Sequence, residues 1–248
     1  DHVTMSFPDT DGNPFDFALV GSRGTFTTGS AVIQAAEDAR RQLLEMAASV
    51  MNLKPEELDT EDGYVFEIKN PKNRLLWRKA TGLTSTILGK GRFEEDFTLS
   101  NFLMTFVEVE VDTLTGKITL VKVLNSAGCG QVISPAVLQG QLHGALGSAG
   151  LDTAIFEGGV LDPSIGRMVN SNMIDYKWRT FNDLPLFDNM TMDTPMPTHR
   201  FHAVGVGEIS TSPGPSAVLM AVYNAIGTRI MDYPFTPDKV LRALGKIN

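Results

Sequence analysis

Two stretches of this chain contain no Asp, Glu, Lys or Arg: Val123–Leu151, 29 residues long, and Ile209–Thr228, 20 residues long. Few structures accommodate charge-free runs of that length, since ~20 predominantly apolar residues suffice to cross a bilayer. The first run, however, holds six glycines together with Gln131, Gln139, Gln141 and His143, and the second carries Pro213, Gly214 and Pro215. That composition argues against membrane helices. Both runs are expected to be buried helices with their entry loops, polar but uncharged, as in a plain core or the wall of a ligand cavity.

The remaining composition fits a globular chain. Of 248 residues, 42% are apolar and 20% charged, which excludes intrinsic disorder, a collagen repeat and a coiled coil. There are 21 basic against 29 acidic residues, a net charge of −8. No basic run occurs, so neither nucleic acid nor an anionic membrane is an expected partner. A single cysteine, Cys129, excludes an internal disulfide, an all-cysteine zinc site and a cysteine-ligated iron–sulfur cluster. A reducing, cytoplasmic setting is the corresponding expectation. No leader-like segment is read, and the chain opens on Asp1 inside a strand-like run, as a piece of something longer would.

Periodicity predicts an α+β fold. Thr28–Met51 reads as a long helix with Val32, Ala36, Ala39, Leu43, Met46, Ala47 and Val50 on its apolar face, capped by Thr27 or Thr28. Lys54–Asp62 reads as a helical turn ending at Asp62-Gly63, Tyr64–Ile68 as a strand and Ser85–Arg92 as a glycine-containing loop. Asn101–Asp112 alternates and is a strand, Asp112–Gly116 a turn and Lys117–Asn125 the return strand. Ser134-Pro135 opens a second helix that runs to about Glu157 with a break near Gly150. Val160–Asn172 holds a turn at Asp162-Pro163, and Asp175–Pro197 is expected to be irregular. Ser216–Met231 is a third helix, and Pro237–Leu244, capped by Thr236, a fourth.

Three constellations could carry chemistry. Gly21-Ser22-Arg23-Gly24-Thr25 stands before the long helix, where N–H groups and hydroxyls can hold an anion; an ordinary capped helix with a flexible approach loop would read the same. Gly140-Gln141-Leu142-His143-Gly144 clears one helix face for a flat ligand beside the Gln141 amide, or for tight helix packing. In Gly205-Val206-Gly207-Glu208 a lone carboxylate opens the second charge-free run. It is expected to be desolvated and a candidate base, or else a capping carboxylate. His143 reads as a core or interface histidine, His199 and His202 as a satisfied or exposed pair, and Glu108 and Glu110 as solvated. No metal-ligand set stands out.

The order of the motifs is more specific than any one of them. Asp9-Thr10, Gly21-Ser22-Arg23, Ala35-Ala36-Glu37-Asp38-Ala39, Val111-Asp112-Thr113-x-Thr115-Gly116-Lys117, Pro135 followed by Gly140-Gln141-x-x-Gly144, Asp175-Tyr176-Lys177, Gly205-x-Gly207-Glu208 and the closing Pro234-x-Thr236-Pro237-x-x-Val240-Leu241-x-Ala243-Leu244 occur in sequence. Together they resemble the C-terminal half of the molybdopterin-binding subunit of the xanthine dehydrogenase/aldehyde oxidase (molybdenum hydroxylase) family, over nearly the whole chain. The resemblance implies an α+β fold of mixed sheets packed with long helices. It implies one region spanning residues 1–248, with two intertwined lobes and a cofactor cleft between them as an option.

The same resemblance implies site roles. Gly21, Ser22, Arg23, Gly24 and Thr25 match the stretch that holds the pterin and its phosphates. Gln141 matches the glutamine beside the metal, and Glu208 the catalytic base of a hydroxylation that takes its oxygen from water. No protein side chain is implied as a metal ligand. The implied cofactor is a molybdopterin-type molybdenum cofactor, the cytosine dinucleotide being one form, and none is expected on the isolated chain. The implied substrates are aldehydes or N-heterocycles such as purines. The implied partners are the N-terminal half of the subunit and iron–sulfur and FAD subunits or domains. Two departures stand out: Ala127-Gly128-Cys129-Gly130 replaces the usual Asp-x-Gly, and the proline after Glu208 is delayed to Pro213. A non-catalytic scaffold, or a phosphate- or nucleotide-binding module using residues 21–25, is the rival reading.

Overall fold

The computed structural model describes residues 3–82, 85–94, 100–145, 147, 150–192, 194–196 and 200–248. A single wide turn over Gly24–Thr28 runs without a break into helix α1 (Gly29–Met51). Thr28 therefore has helical dihedrals and makes no side-chain cap, unlike the cap expected there. The buried residues of α1 include Leu43, Leu44, Ala47 and Ala48, whereas Val32 and Val50 are exposed. The packed face is rotated from the expected stripe by what covers it. Residues 88–92 lie extended along the helix, and Gln34, Asp38 and Gln42, one turn apart, hold their backbone. The Gln34 Oε1 accepts from Arg92 N–H at 3.1 Å, the Asp38 Oδ2 accepts from Lys90 N–H at 3.0 Å, and Gln42 Nε2 donates to the Leu88 carbonyl at 3.0 Å. A Cβ on Gly89 or Gly91 would collide with the Ala35 or Ala31 carbonyl, so this approach needs glycine. The Arg41 guanidinium and the Lys90 N–H hold the Asp38 carboxyl below the usual carboxylate range.

β1 (Leu58–Glu61), β2 (Tyr64–Glu67) and β3 (Asn70–Leu76) form an antiparallel sheet, followed by the short helix α2 (Trp77–Thr81). This corrects the helical turn expected over Lys54–Asp62: only Pro55–Glu57 is helical. Asp62 and Gly63, with φ of +47° and +79°, are the two-residue turn of the β1–β2 hairpin, where left-handed dihedrals match strand twist. Leu58, Val65 and Ala80 close a first core against Leu43, Leu44 and Ala47.

The second sheet is mixed. β4 (Phe102–Val111) and β5 (Ile118–Gly128) are antiparallel, joined by the expected turn in which the Asp112 carboxylate accepts from Leu114 N–H and Thr115 Oγ1. Buried residues of β5 fall at 118 and 120, then at 123, 125 and 127. The register shifts between Glu108 and Val109, so Val121 is an extra residue. This bulge keeps both sets on one face. α3 (Pro135–Ala145) begins with proline at its first position, and α4 (Leu151–Ile155) starts after Gly150, whose dihedrals are helical; the break expected near Gly150 is not seen at that residue, and 146, 148 and 149 lie outside the described residues. After the small hairpin β6 (Leu161–Asp162) and β7 (Arg167–Met168), β8 (Leu186–Met192) adds to β5 in parallel. β8 corrects the irregular reading of Asp175–Pro197. α5 (Gly214–Ile226) stops at Gly227, whose φ of +75° supplies a left-handed cap, rather than at Met231. In α6 (Pro237–Ala243) Thr236 holds the cap position, but its hydroxyl donates to Asp238 instead.

α4, α5 and α6 bury Leu151, Val218, Val222 and Val240 against Ile118, Leu120 and Val123. At ~1.5–3 kcal/mol for each fully buried aliphatic side chain, this is the main apolar contribution to the second half of the chain. α3 departs from expectation: of its residues only Leu142 is buried, and a Cβ on Gly140 or Gly144 would meet open space. It is anchored by a polar row instead. Asn125, fully buried, accepts from Thr105 Oγ1 at 2.8 Å and donates to the Leu142 carbonyl at 3.3 Å.

Candidate active-site cleft

Three segments far apart in sequence meet around one cleft of about 500 Å³. Its walls are the approach to α1 (Leu19, Ser22, Gly24, Thr25, Phe26), the β5–α3 connection with one α3 face (Cys129, Gln131, Gln141 among them), and the strand-like run Ala203–Glu208. The third segment is tied down along its length. Gly130 and Ala203 form an isolated antiparallel bridge, and Val204 N–H donates to the Cys129 carbonyl at 2.8 Å. Asn101 Nδ2 donates to the Gly205 carbonyl at 2.6 Å.

Ser22 and Gln141 both reach the Gly207–Glu208 backbone of this segment. Ser22 Oγ accepts from Glu208 N–H at 3.2 Å, and Gln141 Nε2 approaches the Gly207 carbonyl at 3.4 Å. Ser210, fully buried, donates to the Gln141 carbonyl at 3.5 Å. Gly205 passes so close to Ser22 that a Cβ there would overlap the Ser22 carbonyl. Ser22 itself has φ of +58°, a left-handed conformation that costs a non-glycine residue ~1–2 kcal/mol and that occurs at sites where the chain must turn sharply.

The other residues singled out in the sequence are placed as follows. Gly24 and Thr25 line the cleft in the first turn ahead of α1, where helical N–H groups point outward. Gly21, with φ of +71°, makes the turn and does not line the cleft, and the Arg23 guanidinium lies over the Phe17 ring at 5.6 Å. Glu208 is exposed on the cleft wall. The expected desolvation is thus not supplied by the residues around it here: its uncharged followers turn inward, while the carboxylate stands at the rim. His143 stacks on Phe187 and contacts the Asn189 amide, and burial pushes its imidazole below the ordinary histidine range. His202 faces the Met196 carbonyl, and His199 lies outside the described residues. Among the described residues, no group of three or more His, Cys, Asp and Glu is placed to hold a metal ion, and no helix is long and apolar enough to cross a membrane. Sequence reasoning assigned no site role to Asn101, Cys129 or Gln131; the signal for the last two was their place inside the charge-free run Val123–Leu151.

With this geometry established, similarity to known proteins is informative. Residues 1–185 match the family described as the molybdopterin cofactor-binding domain. The chain is 27% identical over 244 residues to the xanthine dehydrogenase molybdenum-binding subunit of Escherichia coli O157:H7, covering 95% of this chain and 32% of that protein. It is 31% identical over 229 residues to the aldehyde oxidoreductase molybdenum-binding subunit PaoC of Escherichia coli K12, covering 90% and 30%. Its fold matches that of quinoline 2-oxidoreductase from Pseudomonas putida 86 with a TM-score of 0.80 at 21% identity, covering 96% of this chain and 32% of that one. The chain spans about a third of the length of these relatives.

Proposed function

Because the chain belongs to the molybdopterin cofactor-binding domain family, we propose that it forms one wall of the molybdenum-cofactor site of a hydroxylase acting on an aldehyde or an N-heterocycle such as a purine. The observation that carries this is the convergence of Ser22, Thr25, Gln141 and Glu208 on one cleft. The donor set fits the group: N–H groups and hydroxyls of Ser22, Gly24 and Thr25 suit phosphate oxygens, and the Gln141 amide can both donate and accept. When bound, the cofactor supplies the two-electron oxidation.

The chain's own contribution is orientation and a base. Ser22 fixes the backbone of Glu208, Gln141 lies across the same turn, and the Glu208 carboxylate faces the cleft, free to take a proton from the reacting water. Residues 21–25 would hold the phosphates of the pterin and its tail, the cytosine dinucleotide being one form. Gly21 and Arg23 serve that segment from outside the cleft lining, by turn geometry and charge. Iron–sulfur and flavin partners would receive the electrons, and a cytoplasmic setting suits the single cysteine. The two buried clusters correspond to two lobes with the cofactor between them.

Metal and pterin analysis tests the assignment. The native assembly containing this chain should hold molybdenum and pterin in a fixed ratio to it, and the 248-residue chain purified alone should hold none. An assembly without molybdenum sinks the reading. Stoichiometric molybdenum on the isolated chain shows that one wall suffices and overturns the incomplete-site part of it.

A further inference from the structure

Among the described residues, one face of the second sheet is left exposed. β4, β5 and β8 put Val107, Val123 and Phe187 on the side packed against the helices. The opposite side carries two apolar rows in ladder register, Phe102, Gly128 and Met192, then Met104, Ser126 and Met190, and a third in which Phe106 and Leu124 meet Asp188. Phe102, Met104, Phe106, Met190 and Met192 are 58%, 46%, 53%, 58% and 44% exposed, and Leu186 on the same face is 71% exposed. At ~200 Å² per large side chain this is roughly 600 Å² of apolar surface, at the upper end of what a typical monomer leaves open.

The face is graded. Toward the β4–β5 turn it becomes charged: the row after Phe106, Leu124 and Asp188 holds Glu108, Lys122 and Leu186, and Lys122 Nζ lies 3.5 Å from the Asp188 carboxylate across the two rows. The apolar rows lie at the other end, where β5 runs through Gly128 into the cleft-lining Cys129. Whatever covers these rows therefore also reaches the cleft.

We propose that this apolar face is the docking surface for the two-thirds of a molybdenum-binding subunit that the relatives carry beyond the span of this chain, on the same or a separate polypeptide. The proposal rests on the function argued above and adds to it the surface used. Three observations select this occupant. The relatives are about three times as long as the matched region. The apolar rows adjoin the cleft, and Glu208 is still exposed, so a body seated there would also close the site. The methionines suit a surface that repacks on docking.

Accessibility of Met104→Cys and Met190→Cys to a maleimide tests it, with Leu114→Cys in the exposed β4–β5 turn as reference. The chain is tagged and purified from its source cells, and polypeptides that accompany it are identified. A region matching the remaining two-thirds of the subunit is expected, and in that assembly both cysteines should react about tenfold more slowly than in the 248-residue chain alone, relative to Leu114→Cys. Equal labelling overturns the proposal, as does an assembly lacking that region. So does a 248-residue chain that dimerises by sedimentation and loses this on Met104→Asp, since the face then binds its own copy. Molybdenum content, measured on the same samples, separates the two readings. Slow labelling without molybdenum sinks the enzymatic reading alone, and normal molybdenum with fast labelling sinks the docking surface alone.

Discussion

The Glu208 side chain does not cap the turn that follows it. The 3-10 turn over Ile209–Thr211 that follows it lacks a side-chain cap, and the turn is closed through the Glu208 carbonyl, which accepts from Thr211 Oγ1 at 2.7 Å. Replacing the carboxylate by an amide should therefore leave the fold intact. In the complete enzyme, Glu208→Gln is expected to reduce turnover per bound molybdenum by ~10²–10⁴-fold, the usual contribution of a general base. Melting temperature and metal content should be unchanged; turnover within a few-fold of wild type removes Glu208 from the role of base. Ser22 differs because it is both strained and bonded. Ser22→Ala loses the acceptor for Glu208 N–H and keeps the left-handed φ, at a cost of ~0.5–1.5 kcal/mol. Ser22→Gly loses the same bond but relieves the backbone, so it should be the more stable of the two in urea unfolding. The reverse order would mean that the +58° dihedral carries no strain.

At the scale of elements, α3 depends on one side chain beneath it. Almost all of the helix surface is open, and the Asn125 amide joins its last turn to the sheet. Asn125→Leu fills similar volume but strands the Leu142 carbonyl and the Thr105 hydroxyl. Each unpaired buried group costs ~1–3 kcal/mol, so a loss of that order is expected in denaturant titration. Hydrogen exchange should quicken in residues 135–145 before it does in α5. Uniform loss across the sheet and both helices would show that Asn125 supports the whole core and not α3 in particular. Because α3 carries Gln141, the same change should loosen one wall of the cleft.

At the scale of the molecule, one buried ion pair joins α4 to the long loop before β8. Arg179 Nε lies 3.1 Å from Asp152 Oδ1 with both side chains below a tenth exposed, yet off the line of a hydrogen bond, so neither Asp152 Oδ1 nor Arg179 Nη1 gains a hydrogen-bond partner among the described residues. Burial pushes Asp152 up to about 6 against the pull of Arg179, with Glu157 and Asp183 adding to the rise. Since that value lies above the unfolded one of 3.8, the folded state binds the extra proton between them. Stability from this group is full below the unfolded value and is lost as pH rises through about 6. Unfolding free energy should thus increase as pH falls from 7 to 5, by no more than ~1.4 kcal/mol per pH unit. Asp152→Asn, which is neutral at every pH as the protonated carboxyl is, should abolish that slope and remove the stability difference between pH 5 and pH 7. An unchanged slope in the variant places the titration elsewhere.

The parts of this protein legible in its sequence are those decided within a few residues. The β4–β5 hairpin follows from alternation and from an Asp-Thr-Leu-Thr-Gly turn whose side chains bond their own backbone. The starts of α3 and α6 follow from proline at the first helical position; the end of α5 at Gly227 was missed, the helix being expected to run on to Met231. The residues that line the cleft, Ser22, Gly24, Thr25, Gln141 and Glu208, were recognisable from the order of their glycine-flanked motifs. What only tertiary structure decided involves partners far along the chain. β8 exists because β5, some 60 residues earlier, offers a parallel edge to a segment whose asparagines and prolines suggest a loop. The covered face of α1 is set by a strap that needs Gly89 and Gly91, which no helical periodicity records. Nor does local composition report solvent exposure. An uncharged stretch predicted a buried α3 and a desolvated Glu208, yet both stand open, because burial is a property of what packs against a residue and not of the residues beside it in sequence.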